Sequence, residues 1–173
     1  MINKKLMALS VLFLVLAVVS HIYIKTHPES VEPSGFELQE LLQDIQLQTD
    51  EKIQHNIDDE HSDGSTLILN GWAFIENHST EFTNVVIGLR NKAGNERVFQ
   101  TEKVARTDVS AAFGNSLYEG SGFSATCEMK GFDVDEYKAI LYVIDSKKET
   151  YYRLELPGEI KFDGSKVLYN AAG

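Results

Sequence analysis

The stretch TLILNGWAFIE, Thr66–Glu76, decides the fold. Its residues alternate, with Ile68, Asn70, Trp72 and Phe74 on one side and Leu67, Leu69, Gly71, Ala73 and Ile75 on the other. Period-two alternation is the mark of a strand, and here both faces are mostly apolar, so the strand is expected to be covered on each. Gly71 and Ala73 leave room for a second backbone or an aromatic ring to approach. The only tryptophan of the chain, Trp72, is therefore expected in a core rather than as an exposed platform for sugars.

Outward from this stretch the texture stays β-like. Strands are expected near Thr66–Glu76, Thr83–Asn91, Glu96–Thr101, Gly122–Lys130, Tyr137–Asp145 and Thr150–Leu156, with a last one near Glu159–Phe162. NKAGNE and DSKKE have the turn chemistry of hairpins. Hairpin succession without helical crossovers predicts an all-β, antiparallel β-sandwich. The segment TDVSAAFGNSLYEGS interrupts the series and reads as a short helical turn and a long crossover loop.

Three parts are expected: a transmembrane signal anchor over 1–25, a spacer and acidic amphipathic helix over 26–65, and the β-sandwich domain over 66–173. Lys4 and Lys5 precede an apolar run from Leu6 to Ile24, roughly 28 Å long as a helix and enough to cross a bilayer. A cleaved signal peptide is the alternative; Ile22, Tyr23 and Ile24 prolong the run and favour the anchor. Both readings export the remainder, and the positive-inside rule leaves the short tail in the cytoplasm. HPESVEPSG then reads as an extended spacer. In FELQELLQDIQLQTDEKIQHNI, Leu38, Leu41, Leu42, Ile45, Ile53 and Ile57 fall near helical spacing, and Ser34 with Glu37 matches a capping box. A helix packed on the domain is expected; a short dimerising coiled coil is the alternative, weakened because the spacing slips after Ile45 and few heptads survive.

Charge is concentrated in the same region. Between Phe36 and Ser65, Glu37, Glu40, Asp44, Asp50, Glu51, Asp58, Asp59, Glu60 and Asp63 face a single base, Lys52. The chain as a whole carries a formal charge of −10, which repels nucleic acid and anionic lipid heads. DDEHSDG resembles a calcium loop, but His61 and Asn70 stand at its third and twelfth positions, where Asp or Asn and Glu belong, so a solvated acidic linker is expected. Cys127 is the only cysteine, so no internal disulfide forms; alternation with Phe123 and Ala125 predicts a buried, inert thiol.

Taken in order, GWAFIE, VVIGLRN, ARTDVSAAF, GSGFSAT and EYKAILYVID resemble a small extracellular Ig-like β-sandwich domain of bacterial cell-envelope proteins, of the kind attached to polysaccharide-synthesis glycosyltransferases. The resemblance spans Thr66 to Leu156 and implies an accessory, non-catalytic role.

For function, Arg106 and Asp108 are the most specific polar pair. They read as a charge-assisted pair anchoring the crossover loop, or as ligand contacts together with Asn115, Tyr118 and Glu119 of the same loop and with Tyr151. Of the five histidines only His78 is expected inside the folded domain, which leaves no zinc set and a poor start for a nucleophilic triad. No cofactor, metal or catalytic residue is expected. The partners expected are the membrane, an envelope polysaccharide or a membrane protein, the last engaged through the acidic helix; an enzyme acting on glycans ranks last.

Overall fold

A computed structural model describes residues 35–37, 42, 45–49 and 52–170, all within the unit Pro33–Gly173. The expected membrane anchor and spacer lie outside the described residues, among which no helix is long and apolar enough to cross a membrane.

The described chain is mostly β. Its strands are β1 (Phe36–Glu37), β2 (Gln46–Leu47), β3 (Ile53–Asp63), β4 (Thr66–Ile75), β5 (Thr83–Asn91), β6 (Glu96–Val104), β7 (Gly122–Glu128), β8 (Asp135–Asp145), β9 (Thr150–Glu155), β10 (Glu159–Phe162) and β11 (Val167–Asn170). One short helix, α1 (Thr107–Ala112), lies between β6 and β7. The strands run β11-β10-β8-β5-β6-β7-β4-β3, with β1 added to β6 and β9 to the far edge of β8. Every pairing is antiparallel except that of β2 with β9.

The sheet curls because β6 serves both halves. Glu96 to Gln100 pair with β5, whereas Thr101 to Val104 pair with β7. At the other side the Val167 N–H donates to the Gly64 carbonyl at 2.9 Å, tying β11 to the β3–β4 turn. The inner faces enclose one core, including Leu67, Leu69, Ile87, Leu89, Phe123, Leu141 and Val143, all at most 1 % exposed. Cys127 is in this core with Phe123 and Ala125, as expected, and burial pushes its thiol up to about 12.

The expected helix over 36–57 is not what the described residues form. Phe36–Glu37, Gln46–Leu47 and Ile53–Asp63 are strands. Leu42 and Ile45 nevertheless pack inward, against Val86, Val98, Ile140, Tyr142 and Ile144 on the outer face of the β5–β8 half. Leu42 and Ile45 belong to a strap over the sheet's outer face, whereas Ile53 and Ile57 are in β3 and pack on the inner core, and Leu38 and Leu41 lie outside the described residues. DDEHSDG likewise is no linker; it forms the second half of β3 and its turn, paired to β4 as far as Asp63–Thr66. His55 and His61 therefore belong to the folded domain as much as His78 does.

Candidate functional site

The outer face of the β3–β4–β7 half carries the sequence-expected polar pair and the tryptophan. Directly opposed residues share a face of a sheet, so the register defines its rows. One row runs Asn56, Trp72, Gly122, Val104; the next runs Asp59, Asn70, Ser124, Glu102; a third runs His61, Ile68, Thr126.

A β-bulge brings the acids to this face. Ile57 opposes Gly71 and Asp59 opposes Asn70, so Asp58 is an extra residue in β3. Alternation resets at the bulge, and Asn56, Asp58, Asp59 and His61 all join the outer network. The close approach needs Gly71, where a Cβ would lie 2.2 Å from the Asn56 carbonyl oxygen. The room expected beside Trp72 is thus filled by the β3 backbone.

Arg106 holds this network together. It precedes α1, and its backbone N–H is pinned by the Glu119 carbonyl at 2.6 Å. Its guanidinium donates to both oxygens of Asp108, at 2.9 and 2.7 Å, and also to Asp58. Those Arg106 hydrogen bonds hold the Asp108 carboxyl down to about 2. Asp58 in turn accepts from Asn56 at 2.7 Å, and Asp59 meets both Asn70 and His61 at 3.3 Å. Arg106 thereby ties the crossover loop to β3.

Beside this network stands a cluster of rings. Phe74 is fully buried and stacks on Tyr118, centroids 3.9 Å apart, while Trp72 stacks on Phe74 at 5.6 Å and meets the edge of Phe113 at 5.7 Å. The crossover segment covers Phe74 and Tyr118 but leaves Trp72 only half-buried. The expectation of a core tryptophan thus holds in part: Trp72 packs against the Phe74 cluster yet stays partly exposed. Phe113, Leu117 and Val104 are 46 %, 45 % and 42 % exposed.

The six residues expected at the site separate. Arg106 and Asp108 form the network described above. Asn115 is spent as a cap, accepting from the Leu117 N–H at 3.0 Å, and Glu119 is exposed. Tyr118 is buried, its ring against Phe74 and its hydroxyl accepting from the Asn77 N–H at 3.0 Å, so it is a pillar of the loop. Tyr151 lies on the other half of the sheet, packed with Tyr142 beneath the strap. Asn56, Asp58, Asp59 and Asn70 were not assigned to the site from sequence because only the bulge register gathers them.

His78 is buried at a different place. Its Nδ1 lies 3.4 Å from Asp145 and its Nε2 2.7 Å from the Lys148 ammonium, so both ring nitrogens are engaged. Among the described residues no three metal-ligating side chains converge. No protein-family model, no curated protein and no solved structure matches the chain.

Proposed function

We propose that this chain is a single-pass membrane protein that presents an antiparallel, Ig-like β-sandwich outside the cell membrane and binds an envelope polysaccharide, without catalysis. The observation that carries the reading is the partly exposed Trp72 set beside Asn56 and Asn70 on the outer sheet face. A sugar offers an apolar ring face and a rim of hydroxyls, and this face supplies an indole with carboxamide and carboxylate groups around it. β4, which carries Trp72 and Asn70, is hydrogen-bonded to β3 on one side and β7 on the other, so these groups are held in place before a ligand arrives.

The anchor, export and envelope location rest on the N-terminal apolar run and its two lysines. A protein partner is the second reading, favoured by the exposed Phe113, Leu117 and Val104 near the same rings. It no longer draws on an acidic helix.

The test is sedimentation of the full chain, in detergent, with purified cell-wall polysaccharide. Saturable binding that falls about tenfold in Trp72→Ala and persists in Tyr151→Ala is expected, one stacked ring being worth roughly 1–1.5 kcal/mol. Absence of binding by a folded chain refutes the glycan reading and turns attention to a protein at the Phe113 patch.

A further inference from the structure

At the strand ends opposite to Trp72, the β5–β6 hairpin and the β7–β8 connection enclose a half-open cleft of about 250 Å³. Its floor is apolar: Leu89 is fully buried, Tyr137 is 4 % exposed, and Phe132 meets the Tyr137 ring at 5.8 Å. Its rim carries Asn91, Asn95 and Asp133.

Two local structures present these groups. Asn91 uses its side-chain oxygen to accept the Asn95 N–H at 2.9 Å, which closes the hairpin and leaves its NH₂ group to spare. Across the cleft, Gly131 at φ +88° permits the tight turn in which the Phe132 N–H donates to the Met129 carbonyl at 3.0 Å. The Asn95 carboxamide and the Asp133 carboxylate meet no hydrogen-bonding partner among the described residues. Unspent planar polar groups above a floor of rings form the two halves of a polar-ring site.

Charge narrows the class. Among the described residues the one cation lining the cleft, Arg97, donates to the Gly35 carbonyl at 2.5 Å, whereas the lining also holds the buried Glu96 and the exposed Asp133 carboxylate. An anionic ligand would meet this carboxylate without a free countercharge. We propose that the cleft binds one uncharged pyranose unit, an N-acetylated hexosamine or a hexose. The site shares no residue with the Trp72 face, so it stands or falls independently of polymer binding there.

Ligand-observed saturation-transfer NMR on the full chain in detergent tests this, with methyl glycosides of N-acetylglucosamine and glucose as probes and glucuronate as the charged comparison. A single sugar in a small cleft is expected to bind with a Kd of about 1–10 mM. Asn95→Ala and Asp133→Asn, both at exposed positions, are expected to weaken binding about tenfold. Trp72→Ala is expected to leave it unchanged, and glucuronate to give no saturable transfer. Loss in Trp72→Ala with retention in the two cleft variants would assign the signal to the other face and overturn the proposal. No saturable transfer from either neutral probe, or equal binding of glucuronate, overturns it as well.

Discussion

Replacing Gly71 by alanine probes the joint on which both fold and site depend. The added Cβ would lie 2.2 Å from the Asn56 carbonyl oxygen, short of ordinary contact at 3.4 Å by 1.2 Å, and 3.2 Å from the Ile57 Cα. The obstacle is backbone on both counts, so no side chain can swing away; β3 must move. Overpacking of this kind costs roughly 1–3 kcal/mol, and each ladder bond stretched at the bulge adds roughly 0.5–1.5 kcal/mol. The restricted unfolded chain returns about 0.4–1 kcal/mol, leaving a net loss of about 2–3 kcal/mol. For a domain of this size that lowers Tm by roughly 6–10 °C. The assay is thermal unfolding followed by the fluorescence of Trp72, which sits next to the substitution and is the only tryptophan. Gly94→Ala is the comparison: at φ +91° with nothing within 4 Å, it meets backbone strain alone. A left-handed backbone costs a non-glycine residue roughly 1–2 kcal/mol, offset in part by the restricted unfolded chain. A Gly71→Ala loss no larger than that of Gly94→Ala would refute the account of the bulge.

Three further outcomes follow from the same structure. Glu96 is 9 % exposed and accepts from the Tyr142 hydroxyl at 2.5 Å, and burial pushes its carboxyl up despite that bond and the nearby Arg153. The folded state therefore holds this proton more tightly than the unfolded chain; its contribution to stability is complete below the ordinary value of 4.5 and is lost as pH rises through the folded one. Urea midpoints should accordingly match for wild type and Glu96→Gln at pH 4, and favour the variant at pH 7. The Asp108 carboxyl, followed by carbon NMR, should titrate at about 2 and return toward 3.8 in Arg106→Ala. Its stabilising contribution has the opposite sense, present above 3.8 and lost as pH falls toward 2. Cys127 should resist maleimide at pH 8 in the folded chain and react once urea exposes it, since its thiol is held near 12 by burial.

The strands that sequence makes plain are those with strict alternation and turn residues at both ends. Thr83–Asn91 and Glu159–Phe162 have the expected bounds, and Tyr152 points to the core while Tyr151 points away, as two adjacent tyrosines in a strand must. β3 was hidden for a physical reason. It ends the strand order, and its acids and His61 are exposed; the extra Asp58 breaks the period of two just where a reader would test it. Acidic residues on such an edge disfavour its pairing with another strand edge. The strap failed differently, because Leu42 and Ile45 are three apart and the Ile45 N–H does bond back to the Leu42 carbonyl at 3.2 Å. A single turn with that spacing mimics a helix stripe, and tertiary packing decides between them. At the site, Arg106 with Asp108 was legible from two residues of spacing, whereas Asp58 lies 48 positions away from Arg106 and required the fold. Tyr118 misled because a loop tyrosine looks available until its ring is found stacked on Phe74.

The central claim is that an envelope polysaccharide lies on Trp72, and the emission of that one indole measures it most directly. Titration of the full chain with purified polysaccharide should give a saturable blue shift as a sugar ring displaces water from the exposed part of the indole, with the shift diminished in Arg106→Ala, where the neighbouring loop loses its tie to β3. An emission spectrum that stays constant while the polysaccharide binds, or while none binds at all, contradicts it.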